Sequence, residues 1–308
     1  MILKKSTRQV FIGAILSLIL NSYGFAAAAL LSPDVEKLFK LPEQKIDIGI
    51  AALTIAKDVY PDIDVNAYSR RIDLLAEKVK RLANGSTDPE QRIRALNTVI
   101  RNEGFSYDHS LNARGNKLNY FLNETLDAKR GTCFTLPLLY IAIGQRLGYP
   151  LYPVAAPDHM FLRYSAFPFA KQNIEATSGG KYFTDQSYIG RFRPSPRGME
   201  SGSYMSNINY HEYLGNILYV SAVAFDGDKA LSRVERAAEL NPKSADLQDA
   251  LRLGYFAKSN HIAKSKLPNA ARSAELYMKK SQQAGKKAIE LGFVDPDTVK
   301  PLSGLRGE

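Results

Sequence analysis

Three residues of this chain, taken in order, could run acyl-transfer chemistry: Cys133, His159 and Glu175. Cys133 follows Gly131-Thr132 at the head of an apolar run of helical length, Cys133 to Leu147. A thiol in that position meets first-turn N–H groups and the positive end of a helix dipole, a setting that suits the nucleophilic thiolate. His159 opens an apolar, strand-like segment, Pro157-Asp158-His159-Met160-Phe161-Leu162, and Glu175 stands between apolar neighbours in Asn173-Ile174-Glu175-Ala176-Thr177. A helix-borne sulfur, a strand-borne imidazole and an acid on the next strand make a Cys–His–acid relay, in which the imidazole takes the proton from sulfur and the carboxylate orients the ring. The Cys133 backbone N–H is a candidate oxyanion donor. Each residue also has a plainer reading: a buried lone thiol, a histidine at the edge of the core, a glutamate on a solvent face.

The positioning elements can be read from periodicity. Ile48, Ala51, Ala52 and Ile55 share a helical face within Asp47 to Lys57; Ile72, Leu75, Ala76 and Val79 do so within Val65 to Ala83. Asp88-Pro89 starts a third helix that runs to about Arg101, and Tyr120 to Asp127 forms a short fourth. Gly104 to Lys117 reads as a polar surface loop. Pro137 lies early in the nucleophile helix, where its ring would crowd the carbonyl of Cys133, so the helix either begins later than Cys133 or kinks there. Leu151 to Ala155, Met160 to Tyr164, Asn173 to Thr177 and Lys181 to Thr184 read as strands, with Gly179-Gly180 as a hairpin turn between the last two. Arg191 to Arg197 is a basic, Pro-rich loop that marks a domain boundary, and the chain is helical beyond about Asn207. Helices ending in Asn241-Pro242 and Asp295-Pro296 follow the tetratricopeptide pattern, whose helix pairs stack into scaffolds that bind peptides.

Bulk properties set the context. Hydrophobic content of 45% and charged content of 23% over 308 residues are ordinary for globular domains, which excludes wholesale disorder. The net charge of +10 favours an anionic envelope component as neighbour, but the basic residues are spread out and no nucleic-acid motif is present, so no nucleic-acid partner is expected. Lys4, Lys5 and Arg8, the apolar Val10 to Leu20 and the small residues Gly24 to Ala29 read as a secretory signal over residues 1–29, which places the protein in the periplasm or outside the cell; an uncleaved membrane anchor is the alternative. One cysteine allows no disulfide within the chain. Four histidines and one cysteine, widely scattered, make no zinc set, and no phosphate-binding glycine motif occurs, so neither metal nor cofactor is expected.

The run Lys129 to Gly148, with His159 and Glu175 downstream, resembles the transglutaminase-like superfamily, and most closely its bacterial SirB-type branch. Ile55 to Val65, Leu118 to Leu126 and the tetratricopeptide-like tail share that likeness, which covers about Asp47 to Tyr255. The resemblance implies an α+β, papain-like fold: a nucleophile helix on an antiparallel sheet in a domain over residues 40–200, then a helical region over 207–300. It implies a cysteine hydrolase or acyltransferase acting on the amide bonds of a peptide or protein, with Cys133 as nucleophile, His159 as base and then acid, and Glu175 as orienter. Superfamily enzymes usually carry Asp where Glu175 stands, which makes Asp185 the alternative acid; Asn123 is a candidate oxyanion donor. Many SirB-type proteins lack the cysteine, so the other reading is an inactive platform that binds a protein partner through its helical tail.

Overall fold

The computed structural model describes residues 31–110, 117–266 and 268–295, so residues 1–29, read above as a signal, and the end of the tail lie outside the described residues. Helices α1 (Pro33–Leu38), α2 (Ile48–Lys57), α3 (Val65–Ala83) and α4 (Pro89–Asn102) come first. Ser32, Asp47, Asp64 and Asp88 cap them, each side chain accepting a first-turn N–H. Such caps contribute about 1 kcal/mol apiece. Strand β1 (Ser106–Tyr107), helix α5 (Leu122–Ala128) and strand β2 (Arg130–Gly131) lead to α6 (Thr135–Arg146). Every residue of α6 from Thr135 to Gly144 is buried, as expected of a helix apolar on all sides.

The nucleophile helix therefore starts two residues after Cys133, which places Pro137 in its first turn. A missing N–H costs little there because no intrahelical partner awaits it. Cys133 sits on the turn between β2 and α6 rather than on the helix itself.

Strands β3 (Leu151–Ala156), β4 (His159–Tyr164) and β5 (Asn173–Ile174) form an antiparallel sheet in that order. Their register pairs Ala156 with His159 across the two-residue turn Pro157-Asp158, where Asp158 adopts φ 57°. On the other side Leu162 pairs with Ile174 and Arg163 with Asn173. Lys181 to Thr184 does not form the expected strand: Glu175 and Lys181 make a single antiparallel bridge, and Ala176–Ser178 is a 3-10 turn. Gly179 and Gly180 take positive φ in that turn. A Cβ on Gly180 would lie 2.0 Å from Asn97 Oδ1, while Asn97 Nδ2 donates to the Gly180 carbonyl at 2.9 Å. This contact ties the turn after Glu175 to α4.

The segment read as a boundary loop is helical at both ends, within α7 (Asp185–Phe192) and α8 (Pro196–Glu200). Helices α9 (Tyr210–Ser221), α10 (Gly227–Leu240), α11 (Ala245–Ala263) and α12 (Ala270–Glu290) follow, each packed on the next. The fold is α+β, with a small sheet among many helices. One hydrophobic cluster runs from Val35 through α6 to Ala284, so the tail shares the core of the front part. A second, aromatic-rich cluster of Val154, Phe161 and Tyr188 lies between the sheet and α7. No described helix is long and apolar enough to cross a membrane.

Candidate active site

Cys133 is half-buried, held by a turn that its neighbours lock. Thr132 Oγ1 accepts the N–H of Phe134 at 3.2 Å and of Thr135 at 3.3 Å, and Thr135 Oγ1 accepts the Thr132 N–H at 3.0 Å. The Cys133 N–H has no hydrogen-bond partner among the described residues. Parallel pairing of Tyr107 with Gly131 brings β1 against this turn. Gly131 is required by close approach, since a Cβ there would stand 2.8 Å from Thr135 Oγ1 and 2.9 Å from Leu136 Cγ.

His159 projects from the start of β4. Continuing the β4–β5 register by one residue sets Glu175 opposite Phe161, and Phe161 and His159 share a face of the strand. Glu175 and His159 are thus diagonal neighbours, within reach of a long side chain. His159 Nε2 lies 2.7 Å from Glu175 Oε2, with side-chain exposures of 10% and 5%. Glu175 Oε2 also accepts the Tyr188 hydroxyl at 3.1 Å, while Oε1 accepts the Thr177 N–H at 3.0 Å and hydroxyl at 2.5 Å. The His159 ring stacks on Phe192 at 4.4 Å with 5° between planes. Glu175 occupies Nε2, so the other ring nitrogen is the one available to Cys133, which lines the same cleft.

The electrostatics follow from these contacts. Burial alone would lower the pKa of His159, but the Cys133 thiol and then the hydrogen-bonded Glu175 carboxylate raise it to about 9. Burial pushes Glu175 upward, and the hydrogen bonds from His159 and Thr177 outweigh it, so its pKa is lowered. The pair is therefore imidazolium and carboxylate at neutral pH. Tyr188 is held neutral, chiefly by burial and then by the charge of Glu175.

Cys133 and His159 open on a cleft of about 400 Å³. Tyr107 and Tyr120 line it, together with Asn216, Tyr219 and Asn241 from the helical tail. Of the five residues nominated from sequence, Cys133, His159 and Glu175 come together. Asp185 does not join them: its Oδ1 is taken by Arg163 at 2.8 Å and Asn173 at 2.7 Å, at the start of α7. Nor does Asn123 line the cleft; it is buried in α5, with Nδ2 3.4 Å from Glu124 Oε1 and Oδ1 unpartnered. No group of three or more His, Cys, Asp or Glu among the described residues could hold a metal ion.

Comparison with known proteins places these residues. The model of the transglutaminase-like superfamily matches residues 66–212, a span that holds Cys133, His159 and Glu175. Two curated relatives, each named UPF0162 protein and from Xylella fastidiosa strains Temecula1 and 9a5c, are 27% identical to the chain over 135 residues. The match covers 44% of this chain and 47% of each relative, so it spans about half of their length. No solved structure matches the chain.

Within the matched span, the residues that hold the histidine and the acid are not among those nominated from the sequence. Tyr188 and Phe192 are four apart on α7, an aromatic pair at helical spacing that was visible in principle. Thr177, two residues after Glu175, is a local carboxylate partner of a common kind. Tyr107 and Tyr120 gave no signal, because only pairing of β1 with β2 brings that segment to the cleft.

Proposed function

We propose that this protein is a cysteine-dependent enzyme that cleaves or transfers amide bonds through a thioester, with Cys133, His159 and Glu175 as its catalytic residues. The observation that carries the reading is a half-buried thiol and a histidine that line one cleft, with the histidine Nε2 2.7 Å from a buried carboxylate. The Cys133 thiolate attacks an amide carbonyl, and the Cys133 N–H donates to the oxyanion that forms. The His159 imidazolium gives its proton to the departing amine, which leaves a thioester on sulfur. Water or a second amine then attacks that carbonyl, and His159 takes its proton. Collapse breaks the carbon–sulfur bond, releases an acid or a new amide and frees Cys133 for the next cycle. Glu175 keeps the ring oriented throughout. The signal-like residues 1–29 and the basic surface favour action outside the cytoplasm, beside an anionic envelope.

Alkylation by iodoacetamide tests the reading. Native protein should lose its thiol rapidly at pH 6, and His159→Ala should slow that reaction by at least about tenfold. A thiol that reacts only after unfolding would leave the inactive platform as the better account.

A further inference from the structure

Helix α12 ends in a Schellman turn: the Phe293 N–H bonds the Ala288 carbonyl and the Gly292 N–H the Ile289 carbonyl, with Gly292 at φ 87°. The carbonyls of Glu290, Leu291 and Gly292 are of the kind a helix end leaves open. Each is taken by the segment around α8: Arg197 Nε donates to Glu290, Ser201 Oγ to Leu291 at 2.8 Å, and Ser195 Oγ to Gly292. The approach leaves no room for a side chain, since a Cβ on Gly292 would lie 2.0 Å from the Gly198 nitrogen and 2.4 Å from its Cα. Those atoms are backbone and cannot swing aside. Beyond α8 the chain is tied elsewhere: Ser203 Oγ accepts the Ala245 N–H at 2.8 Å at the start of α11, and the Met205 N–H donates to the Ala155 carbonyl on β3 at 2.8 Å. Met199, Glu200, Ser201 and Gly202 line the cleft that Cys133 and His159 share.

Water can satisfy the carbonyls of a helix end, so the three bonds and the backbone contact add placement rather than helix stability. What they place is cleft lining that comes far earlier in the chain. We propose that Gly292 and Ser201 are positioning residues for the active site: the end of α12 holds Met199 to Gly202 in place, and that lining limits the size of molecule that reaches Cys133. This inference rests on reading the cleft as the active site. Loosening the hold lets the lining yield to a larger molecule, while the Cys133 turn, locked by Thr132 and Thr135, stays as it was.

Cys133 is the only cysteine, so maleimides report on it alone. N-ethylmaleimide and fluorescein-5-maleimide share one reaction and differ in bulk. In full-length Gly292→Val the rate constant for the larger reagent, divided by that for the smaller, should rise about tenfold, the scale of a local opening eased by one or two hydrogen bonds. Gly85→Val is the control: Gly85 also has a positive φ, 72°, yet a Cβ there would meet nothing within 4 Å, so the ratio should keep its native value. Ser201→Ala needs no backbone movement, should raise the ratio about fivefold, and carries the test if Gly292→Val does not fold. A native ratio in folded Gly292→Val or in Ser201→Ala, or an equal rise in Gly85→Val, would overturn the proposal. A native thiol inert to both reagents is instead a failure of the cysteine reading. Hydrogen exchange at the Ser201, Gly202 and Tyr204 amides, all bonded to α8 carbonyls, then decides the hold by itself: faster in Ser201→Ala if it stands, unchanged if it does not.

Discussion

Replacement of single atoms tests the charge relay. Glu175→Gln keeps the shape of the acid and removes its charge, so the histidine pKa should move from about 9 toward its ordinary 6.5. The rate should fall on the order of 10⁴-fold, as when the orienting carboxylate of a Ser–His–Asp triad is neutralised. Single-turnover acylation against pH would show both effects. With Glu175 intact, activity should decline above about pH 9, where His159 loses the proton that the leaving amine needs. Stability carries the same dependence: the raised pKa of His159 contributes fully below about pH 6.5 and is lost as pH rises through about 9. The lowered pKa of Glu175 acts oppositely, its contribution disappearing as pH falls below the ordinary carboxylate range. Melting temperature across pH should therefore fall on the alkaline side in the native protein and less in His159→Gln. Glu175→Asp should not restore function, because a diagonal neighbour across the sheet needs the longer side chain.

Among the elements, the β2–α6 turn is the most exacting. Gly131→Ala places a methyl against Thr135 Oγ1 and Leu136 Cγ, atoms that belong to the start of α6 and cannot retreat without unseating Cys133. A cost of about 1–3 kcal/mol in urea unfolding is expected, together with slower alkylation of the thiol. Helix α7 acts from the other side, with Phe192 stacked on His159 and Tyr188 bonded to Glu175. The change Tyr188→Phe keeps the packing and removes one hydrogen bond, so it should cost about 1 kcal/mol in urea unfolding.

The whole molecule is joined front to back by a buried ion pair. Arg233 on α10 is 1% exposed and reaches Asp58 at the end of α2, while its guanidinium lies 4.0 Å from the Phe225 ring centroid. Asp58→Ala would leave a buried cation unpaired, which costs about 3–5 kcal/mol, whereas replacing both partners with apolar residues of similar volume should recover most of that loss. Guanidinium unfolding of the single and double variants separates these outcomes, and it reports on the cleft too, because α9 and Asn241, which follows α10, line it. By itself the sequence determined the extents of most helices, the order Cys133, His159, Glu175, and the α+β class, since periodicity, caps and turn residues act within a few positions. It also carried the conflict at Pro137 that the later start of α6 resolves. Only the tertiary structure decided which acid meets His159, that Asn123 stays in the interior, and that the tail closes the cleft. Those outcomes depend on strand register and on packing between segments far apart in the chain, and no local pattern records such distances.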